Sequence, residues 1–253
     1  MTLTLTYQQE LKKIRRAVTQ ALEQAYRQLP DFSQTSTDLF LAKAVPLAVA
    51  GQRRAVDLTN AVMARTIGIS PVGLDYATLI GAALRNGVDP NSVYARPLIT
   101  ARASIKDLGF AGAFNKGLAR LSDTANMDVA MAARNASHSF ANVASDGEQV
   151  VIGLIRRADP GCCKFCTTVD GAKCFVENPA PLHNNCSCTL EPLMGTRRPP
   201  KDAEGWLTLT PGSVIGDTII QEHGEMGPLL MDKNNSFTSV SELPAAYLQE
   251  VSH

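Results

Sequence analysis

All six cysteines of the 253-residue chain lie in one short segment, DPGCCKFCTTVDGAKCFVENPAPLHNNCSC, which runs from Asp159 to Cys188. The segment also contains His183, one of the four histidines. Clustered thiol and imidazole groups constrain a fold strongly, because they bind either one another or a metal ion. We expect no signal peptide, since no apolar stretch precedes the basic residues of the N-terminal MTLTLTYQQELKKIRR. In a reducing cytoplasm, such a cluster favours a metal site over disulfides.

The spacing of these residues predicts a tetrahedral zinc site. Zinc prefers thiolate and imidazole ligands, and a Cys-x-x-Cys pair directs two sulfurs toward one point. Cys163 and Cys166 form such a pair, and a second unit, His-x-x-Cys-x-Cys, begins 17 residues after Cys166. The candidate metal ligands are therefore Cys163, Cys166, His183, Cys186 and Cys188.

Five candidates compete for four positions around one ion. The preferred ligand set is Cys163, Cys166, His183 and Cys186, which gives a Zn²⁺ site of net charge −1. Cys188 is an alternative to Cys186, since alternate residues of a strand share a face. A four-thiolate site that omits His183 is less favoured. Cys162 and Cys174 are interpreted as spare cysteines that do not bind the metal: the side chain of Cys162 diverges from that of the adjacent Cys163, and Cys174 stands alone in the loop.

Basic residues near the segment could offset the negative charge of such a site. Four of them lie close in sequence: Arg156, Arg157, Lys164 and Lys173. Because the segment offers enough protein ligands to close the coordination shell, we predict a structural rather than a catalytic metal. A Cys–His catalytic pair has no visible orienting partner, and a thioredoxin-like pair would need a βαβ setting that the sequence lacks.

The rest of the sequence predicts an α+β fold with a mostly helical N-terminal region, a small strand–zinc loop–strand module and an extended C-terminal arm with short strands. The predicted division is 1–120, 121–195 and 196–253. Helices are predicted from Thr6 to near Pro30, Asp38 to Thr66, Leu74 to Arg85, Pro97 to Leu108 and Asp123 to about Ala144. The β-branched run Gln149 to Arg156 and the run Cys188 to Leu193 are predicted as strands that flank the metal loop.

The first helix carries an apolar stripe with a heptad-like period, and a capping box formed by Thr6 and Gln9 is predicted at its start. The stripe either packs on its own domain or pairs with a neighbouring subunit. The basic run Lys12-Lys13-Arg15-Arg16 is interpreted as a solvated face, with DNA contact as a weaker alternative. His138 in the last helix is interpreted as a polar-face or core residue rather than a metal ligand.

The overall charge argues against a dominant nucleic-acid-binding patch, and the hydropathy argues against a membrane-spanning protein. The net charge is zero, but the stretch from residue 196 onward contains four basic and eight acidic residues, so it carries −4 and the rest carries +4. No membrane span is predicted, because the best apolar run, Leu39 to Ala50, is interrupted by Lys43 and is far shorter than about 20 residues. Trp206, the single tryptophan, either anchors the acidic arm on a partner or packs back on its own domain.

The cysteine segment resembles the C-terminal motif of phage Mu F-like minor head proteins. The residues that carry the resemblance are Asp159, the pair Cys163 and Cys166, Asp170-Gly171, the run Pro181-Leu-His183-Asn-Asn-Cys186-Ser-Cys188, and Glu191-Pro192. The long preceding helix and strand also suit that family, whereas the first 120 residues and those after Met194 carry no resemblance. Ser187 stands where the family often has a basic residue, and Cys162 and Cys174 are extra.

The resemblance implies a non-enzymatic, structural minor capsid protein of a tailed bacteriophage, which assists head morphogenesis and DNA packaging or delivery. Such a protein would be made in the host bacterial cytoplasm and reside in the virion, inside the head and near the portal. Its expected partners are the portal protein, the major capsid protein or both, with contact to packaged DNA left open and no membrane. The alternative is a zinc-containing nucleic-acid-binding or nuclease-like protein, although no His-Asn-His pattern flanks the cysteines.

Overall fold

The computed structural model describes residues 2–145, 148–162, 166–167, 169–178, 186–200, 203–207, 212, 214–215, 218–225 and 227–232. Its long helices are α1 (Leu3–Arg27), α2 (Gln34–Ile67) and α3 (Pro90–Val143). The strands that follow are β1 (Val150–Arg157), β2 (Lys173–Cys174), β3 (Thr189–Gly195), β4 (Trp206–Leu207), β5 (Val214–Ile215), β6 (Thr218–His223) and β7 (Gly227–Asp232). The predicted α+β class, with helices in front and short strands behind, is confirmed.

The described strands form two sheets. In the first, β1 is central and antiparallel to both β3 and β2, and β4 adds parallel to β2. The two strands predicted to flank the metal loop are β1 and β3, and they pair directly, with Leu154 opposite Pro192. The second sheet is an antiparallel meander of β5, β6 and β7.

Helix α1 begins earlier than the sequence predicted. Its N-cap is Thr2, whose hydroxyl accepts a hydrogen bond from the Leu5 amide at 3.3 Å. The capping box at Thr6 and Gln9 was wrong, because Thr6 already lies inside the helix and its hydroxyl donates to the Thr2 carbonyl. The added turn contacts the module, since the Thr4 hydroxyl donates to the carboxylate of Glu191 on β3.

The predicted helix from Leu74 to Arg85 was also wrong, since two short 3-10 turns, Tyr76–Thr78 and Ala83–Arg85, replace it. The Asp75 side chain caps the first turn by accepting from the Ala77 amide. Gly81, with φ of 63°, departs from helical geometry before the second turn. A turn of this kind favours short 3-10 pieces over a continuous helix.

Helix α3 joins what the sequence predicted as two separate helices. It begins at Pro90, where the Asp89 side chain accepts from the Asn91 amide, so Pro97 lies inside the helix rather than in its first turn. The predicted break at Gly109 is a kink, with φ of 65° and ψ of 177°, a conformation open to glycine because it has no Cβ. The helix then continues without interruption past residue 120 to Val143.

The apolar stripe of α1 packs within its own chain, which confirms the first of the two interpretations. Tyr7 and Leu11 of the stripe are buried, Ile14 packs against the same core cluster, and α1 lies against both α2 and α3. Complete burial of one such side chain contributes about 1.5–3 kcal/mol. The same core cluster includes Cys166 and Cys186 of the metal segment, so helices and module share one interior.

The C-terminal arm also packs back on its own chain at Trp206. The Trp206 ring lies 5.1 Å from the Phe175 ring and covers Gly153 on β1, where an added Cβ would overlap the indole. Glycine at this position therefore permits the close approach of the ring to the sheet.

His138 is a core residue on α3, which confirms its interpretation. Its Nδ1 lies 2.7 Å from the Val176 carbonyl oxygen, and because a carbonyl only accepts, Nδ1 carries the proton. Burial, which outweighs the hydrogen bond to Val176, lowers the pKa of His138 from 6.5 to about 4.

We expect this buried imidazole to destabilise the protein in mild acid. The unfolded chain binds a proton at His138 near pH 6.5, whereas the folded chain binds it only near pH 4, so stability is complete above pH 6.5 and falls below it. Relative to His138→Gln, whose amide can still donate to Val176, the wild type should lose about 2 kcal/mol between pH 7 and pH 5. Urea unfolding at both pH values measures the difference, and equal losses in the two proteins would contradict this assignment.

Candidate metal centre

Three of the five predicted ligands meet in the interior. The ligand sulfurs of Cys166, Cys186 and Cys188 all lie within 4.8 Å of one another and could hold a metal ion. Cys166 and Cys186 are buried and Cys188 is half-buried. We call these three residues the cysteine cluster. The other two predicted ligands, Cys163 and His183, lie outside the residues that the structure describes.

The pairing of β1 with β3 brings the two halves of the cluster together. Cys166 follows the end of β1 after a turn in which the Cys162 amide donates to the Asp159 carbonyl at 2.9 Å. Cys186 and Cys188 immediately precede β3, whose first residue, Thr189, pairs with the last residue of β1. The sequence treated Cys188 as a substitute for Cys186, but both sulfurs enter the cluster.

The two cysteines interpreted as spare lie elsewhere. The sulfur of Cys162 is 3.4 Å from the Thr167 hydroxyl, and Cys174 is buried on β2. Neither belongs to the group of close ligand atoms found among the described residues. This placement agrees with the interpretation from sequence, in which Cys162 diverges from its neighbour and Cys174 stands alone in the loop.

A buried guanidinium lies beside the cluster. Arg156, on β1, is 1% exposed, and its Nη2 is 3.5 Å from the Cys166 sulfur and 3.8 Å from the Cys186 sulfur. Burial lowers the pKa of Arg156, but the nearby negative charges of Cys186, Cys166 and Cys188 raise it by more, so the guanidinium stays charged. Of the four basic residues predicted to offset the cluster's charge, Arg156 is the one that faces it within the described part of the chain.

Two of the other predicted cations, Arg157 and Lys173, do not take this role. Arg157 alternates to the other side of β1, where its Nε lies 2.6 Å from the Glu191 carboxylate. Lys173 is exposed on β2, and Lys164 lies outside the described residues.

Helix α1 supplies two further cations that the sequence did not assign to the site. Arg15 is 6% exposed, and its Nη1 donates to the Cys186 carbonyl at 2.7 Å and to the Ser187 hydroxyl at 2.9 Å. The Nζ of Lys12 lies 2.6 Å from a carboxylate oxygen of Asp159. The interpretation of this basic run as a solvated face was therefore wrong for Lys12 and Arg15.

A signal for Arg15 was present in the sequence. It lies seven residues after Gln8 and seven before Leu22, and all three are buried, so they share one face of α1. Burial lowers the pKa of Arg15, while the negative charges of Cys186 and Asp159 act in the opposite direction. A basic residue in register with a buried stripe is better read as part of the interior than as a solvated charge.

Other polar residues fix the backbone around the cluster. The amide Nε2 of Gln8 lies 3.3 Å from the carbonyls of Arg157 and Ala158 at the end of β1. The carboxylate of Asp170 accepts from the Ala158 amide at 2.8 Å. Gly171 follows with φ of 76°, which suits glycine, and its amide donates to the Arg156 carbonyl at 2.8 Å.

The crowding of the three sulfurs makes the cluster one that could hold a cation. A hydrogen bond with Cys166 lowers the pKa of Cys188, but a hydrogen bond with Cys186, burial and the charge of Cys186 together raise it to about 12. Three crowded sulfurs cannot all ionise without a compensating charge, because like charges repel strongly at this separation. A metal ion bound there would supply that charge and displace the thiol protons.

The space beside the cluster is small. A cavity of about 20 Å³ is bordered by Arg134, Ser137, Arg156, Cys186 and Thr189, together with apolar residues of α1 and α3. This volume accommodates about one water molecule. Ligand sites for small organic molecules are much larger, so this cavity does not hold such a molecule next to the sulfurs.

The chain matches no family model, no curated protein and no solved structure with which it was compared. The resemblance to the Mu F-like motif therefore stays a prediction based on the cysteine segment. Among the described helices, none combines the length and the apolar character needed to cross a bilayer.

We expect Arg156→Met to weaken metal binding, because it removes the charge that faces two sulfurs while keeping most of the buried volume. Loss of a partner next to metal ligands typically lowers affinity about 10–100-fold. Arg157→Met is the matched control, since it removes only a half-buried ion pair with Glu191, worth about 0–1 kcal/mol. Titration with Co²⁺ against a competing chelator measures both, and equal affinities for the two variants would remove this role from Arg156.

Proposed function

We propose that the cysteine cluster is a structural zinc centre and that the protein is a structural minor capsid protein of a tailed bacteriophage, acting in head morphogenesis. The observation that carries this proposal is the convergence of Cys166, Cys186 and Cys188 in the interior, at the junction of β1, β3 and α1. On this proposal the ion locks the two ends of the loop so that the strands and helices form one rigid body.

The donor set suits zinc. A Zn–S bond of about 2.3 Å in a tetrahedral shell places two sulfurs about 3.8 Å apart, and the three sulfurs already lie within 4.8 Å of one another. A fourth ligand comes from Cys163 or His183, both of which the sequence predicts as candidates. The shell then carries −2 or −1 with Zn²⁺, and Arg156 lies next to it as a compensating charge.

Burial supports a structural role for this ion. A catalytic zinc keeps one position open for water and also admits a substrate, whereas the cavity beside this cluster has room for about one water molecule. The nearby acids are engaged in bracing the loop: Asp159 binds Lys12, Asp170 binds the Ala158 amide and Glu191 binds Arg157. A structural zinc contributes about 10–16 kcal/mol to such a site in zinc-finger peptides.

The phage assignment is supported by the motif. Four of its non-cysteine positions, Asp159, Asp170, Gly171 and Glu191, each make a defined contact around the loop, as expected of a motif that specifies a small structural module. By the resemblance, the protein lies inside the head near the portal and binds the portal or the major capsid protein. Contact with packaged DNA belongs to the same proposal.

The alternative, a zinc-containing nucleic-acid-binding or nuclease-like protein, loses part of its support. The basic run of α1 offers little free charge to a nucleic acid, because Lys12 binds Asp159 and Arg15 binds the Cys186 carbonyl. Lys13 forms an exposed ion pair with Glu10, so Arg16 is the residue of this run for which the structure gives no acidic neighbour within the described part of the chain.

We expect protein purified under reducing, anaerobic conditions to contain one zinc per chain. Cys166→Ser, Cys186→Ser and Cys188→Ser should each lose zinc and unfold at lower temperature, because each removes a thiolate ligand. Cys162→Ser, whose thiol lies outside the cluster, is the matched control and should keep both. Comparison of Cys163→Ser with His183→Gln by elemental analysis identifies the fourth ligand, and a wild type well below one zinc would contradict the centre.

The virion assignment has its own test, because it can fail while the zinc centre stands. Purified phage particles, treated with protease and then opened, should contain the chain in a few copies by quantitative mass spectrometry. Cys166→Ser should be lost from particles and Cys162→Ser retained. Absence of the wild-type chain from particles would contradict the assignment, and DNA cleavage that His183→Ala abolishes without loss of zinc would favour the nuclease alternative.

A further inference from the structure

A second charged site lies away from the cysteine cluster, where the acidic arm meets the helices. Glu225, in the turn between β6 and β7, accepts two parallel hydrogen bonds from Arg96 of α3, at 2.7 and 2.6 Å. Arg85 adds an ion pair at 3.6 Å, and the Asn86 amide donates to the Gly224 carbonyl at 2.5 Å. A bidentate arginine–carboxylate pair is among the strongest and most directional of polar contacts.

The arginine side of this contact is built into the helical body. Arg85 is 5% exposed and holds Asp128 of α3 through Nε at 2.7 Å and Nη2 at 2.6 Å. Asp128 also accepts from the Tyr94 hydroxyl at 2.8 Å and from Gln52 at 3.3 Å. Arg85, Arg96 and Asp128 therefore form a preorganised socket of net charge +1, which a carboxylate complements.

The meander of β5, β6 and β7, which places Glu225 in the socket, forms a sheet of its own. Strands β5, β6 and β7 pair with one another, and within the described residues no strand of this sheet pairs with the first sheet. Besides Glu225, one described side chain anchors the meander on the helices: Ile220 of β6 is 0% exposed and belongs to the core cluster of the helices. The backbone hydrogen bonds of the meander do not depend on the socket, so it can leave and re-enter as a unit.

The charges of the two parts are complementary on the scale of the whole chain. The residues from 196 onward carry −4 and the rest of the chain carries +4. The connection between β4 and β5, residues 208–213, spans at most about 20 Å when extended. A meander released from its own socket therefore reaches only the socket of a copy in direct contact.

We propose that the Arg85–Arg96 socket is an interaction surface for the β6–β7 hairpin of a second copy of this chain, so that adjacent copies join by exchanging hairpins. Exchange replaces each contact by an identical one from the neighbour, so it costs no contact energy and is governed by local concentration. This inference does not rest on the zinc centre or on the virion assignment. It supplies a way for copies held side by side to become linked.

The test uses two charge-reversed variants of the full chain. Arg96→Glu faces its own Glu225, and Glu225→Arg faces its own Arg85 and Arg96, so each variant repels its own hairpin and that of an identical copy. When the two are mixed, exchange brings the two substituted side chains together in one socket and pairs Arg96 with Glu225 in the other. We expect each variant alone to be monomeric and the mixture to form a 1:1 heterodimer of twice the mass, seen by light scattering and native mass spectrometry.

Matched controls separate exchange from general charge attraction. Lys106→Glu and Glu204→Arg reverse exposed charges on the same two parts of the chain and should give no heterodimer when mixed. The double variant Arg96→Glu/Glu225→Arg restores the ion pair between positions 96 and 225 within one chain, although Arg85 still faces the new arginine. It should unfold at a higher temperature than Glu225→Arg alone, which also shows that the reversed charges are compatible with folding.

Labelled and unlabelled wild-type chains provide an independent measurement without substitutions. At high protein concentration they should form mixed dimers that dissociate again on dilution, because exchange leaves the number of arginine–carboxylate contacts unchanged and depends on protein concentration. Mixed wild-type dimers and the variant heterodimer support the exchange. Absence of the heterodimer from the variant mixture, while the double variant is folded, would overturn it, as would a heterodimer of equal yield from the control pair.

Discussion

The guanidinium of Arg156 lies in the interior against two cysteine sulfurs, and the arrangement of the module depends on this contact. A buried cation is strongly unfavourable unless negative charge surrounds it, and crowded thiolates are unfavourable for the converse reason. Each group therefore makes the burial of the other tolerable, and a cation bound by the sulfurs completes the balance. The proposed zinc centre is best understood as one compensated unit of metal, thiolates and arginine rather than as an ion in a passive loop.

Helix α1 links this unit to the rest of the chain. Gln8, Lys12 and Arg15 lie on one side of the helix and bind, in order, the end of β1, Asp159 and the Cys186 carbonyl. The same helix buries Tyr7 and Leu11 in the core that contains Cys166 and Cys186. Loss of a metal ion from the proposed centre would therefore destabilise α1 as well as the loop. The helix would lose the partners of its polar face and part of the packing on its apolar face.

The C-terminal arm is attached to the helices by arginine–carboxylate ion pairs, a kind of contact different from that in the cysteine cluster. Two of the three sulfurs of the cysteine cluster are buried between α1 and the first sheet, whereas Glu225 is held at the edge of the helices by Arg85 and Arg96. Ion pairs of partly exposed groups weaken in salt, whereas thiolate bonds to a metal ion in the proposed centre would be little affected by salt. A protein that assembles into a larger particle can use the first kind of contact for adjustable links and the second for a fixed body.

The sequence alone determined the features that depend on local chemistry. The strand on each side of the loop, the candidate ligands and the separation of Cys162 and Cys174 from the cluster follow from β-branched patterns and short ligand spacings, which act over a few residues. The tertiary structure decided the rest, because it rests on contacts between residues far apart in the chain. Arg15 reaches Cys186 and Arg96 reaches Glu225 only after the helices fold, and no local pattern of charge encodes which distant partner a side chain meets.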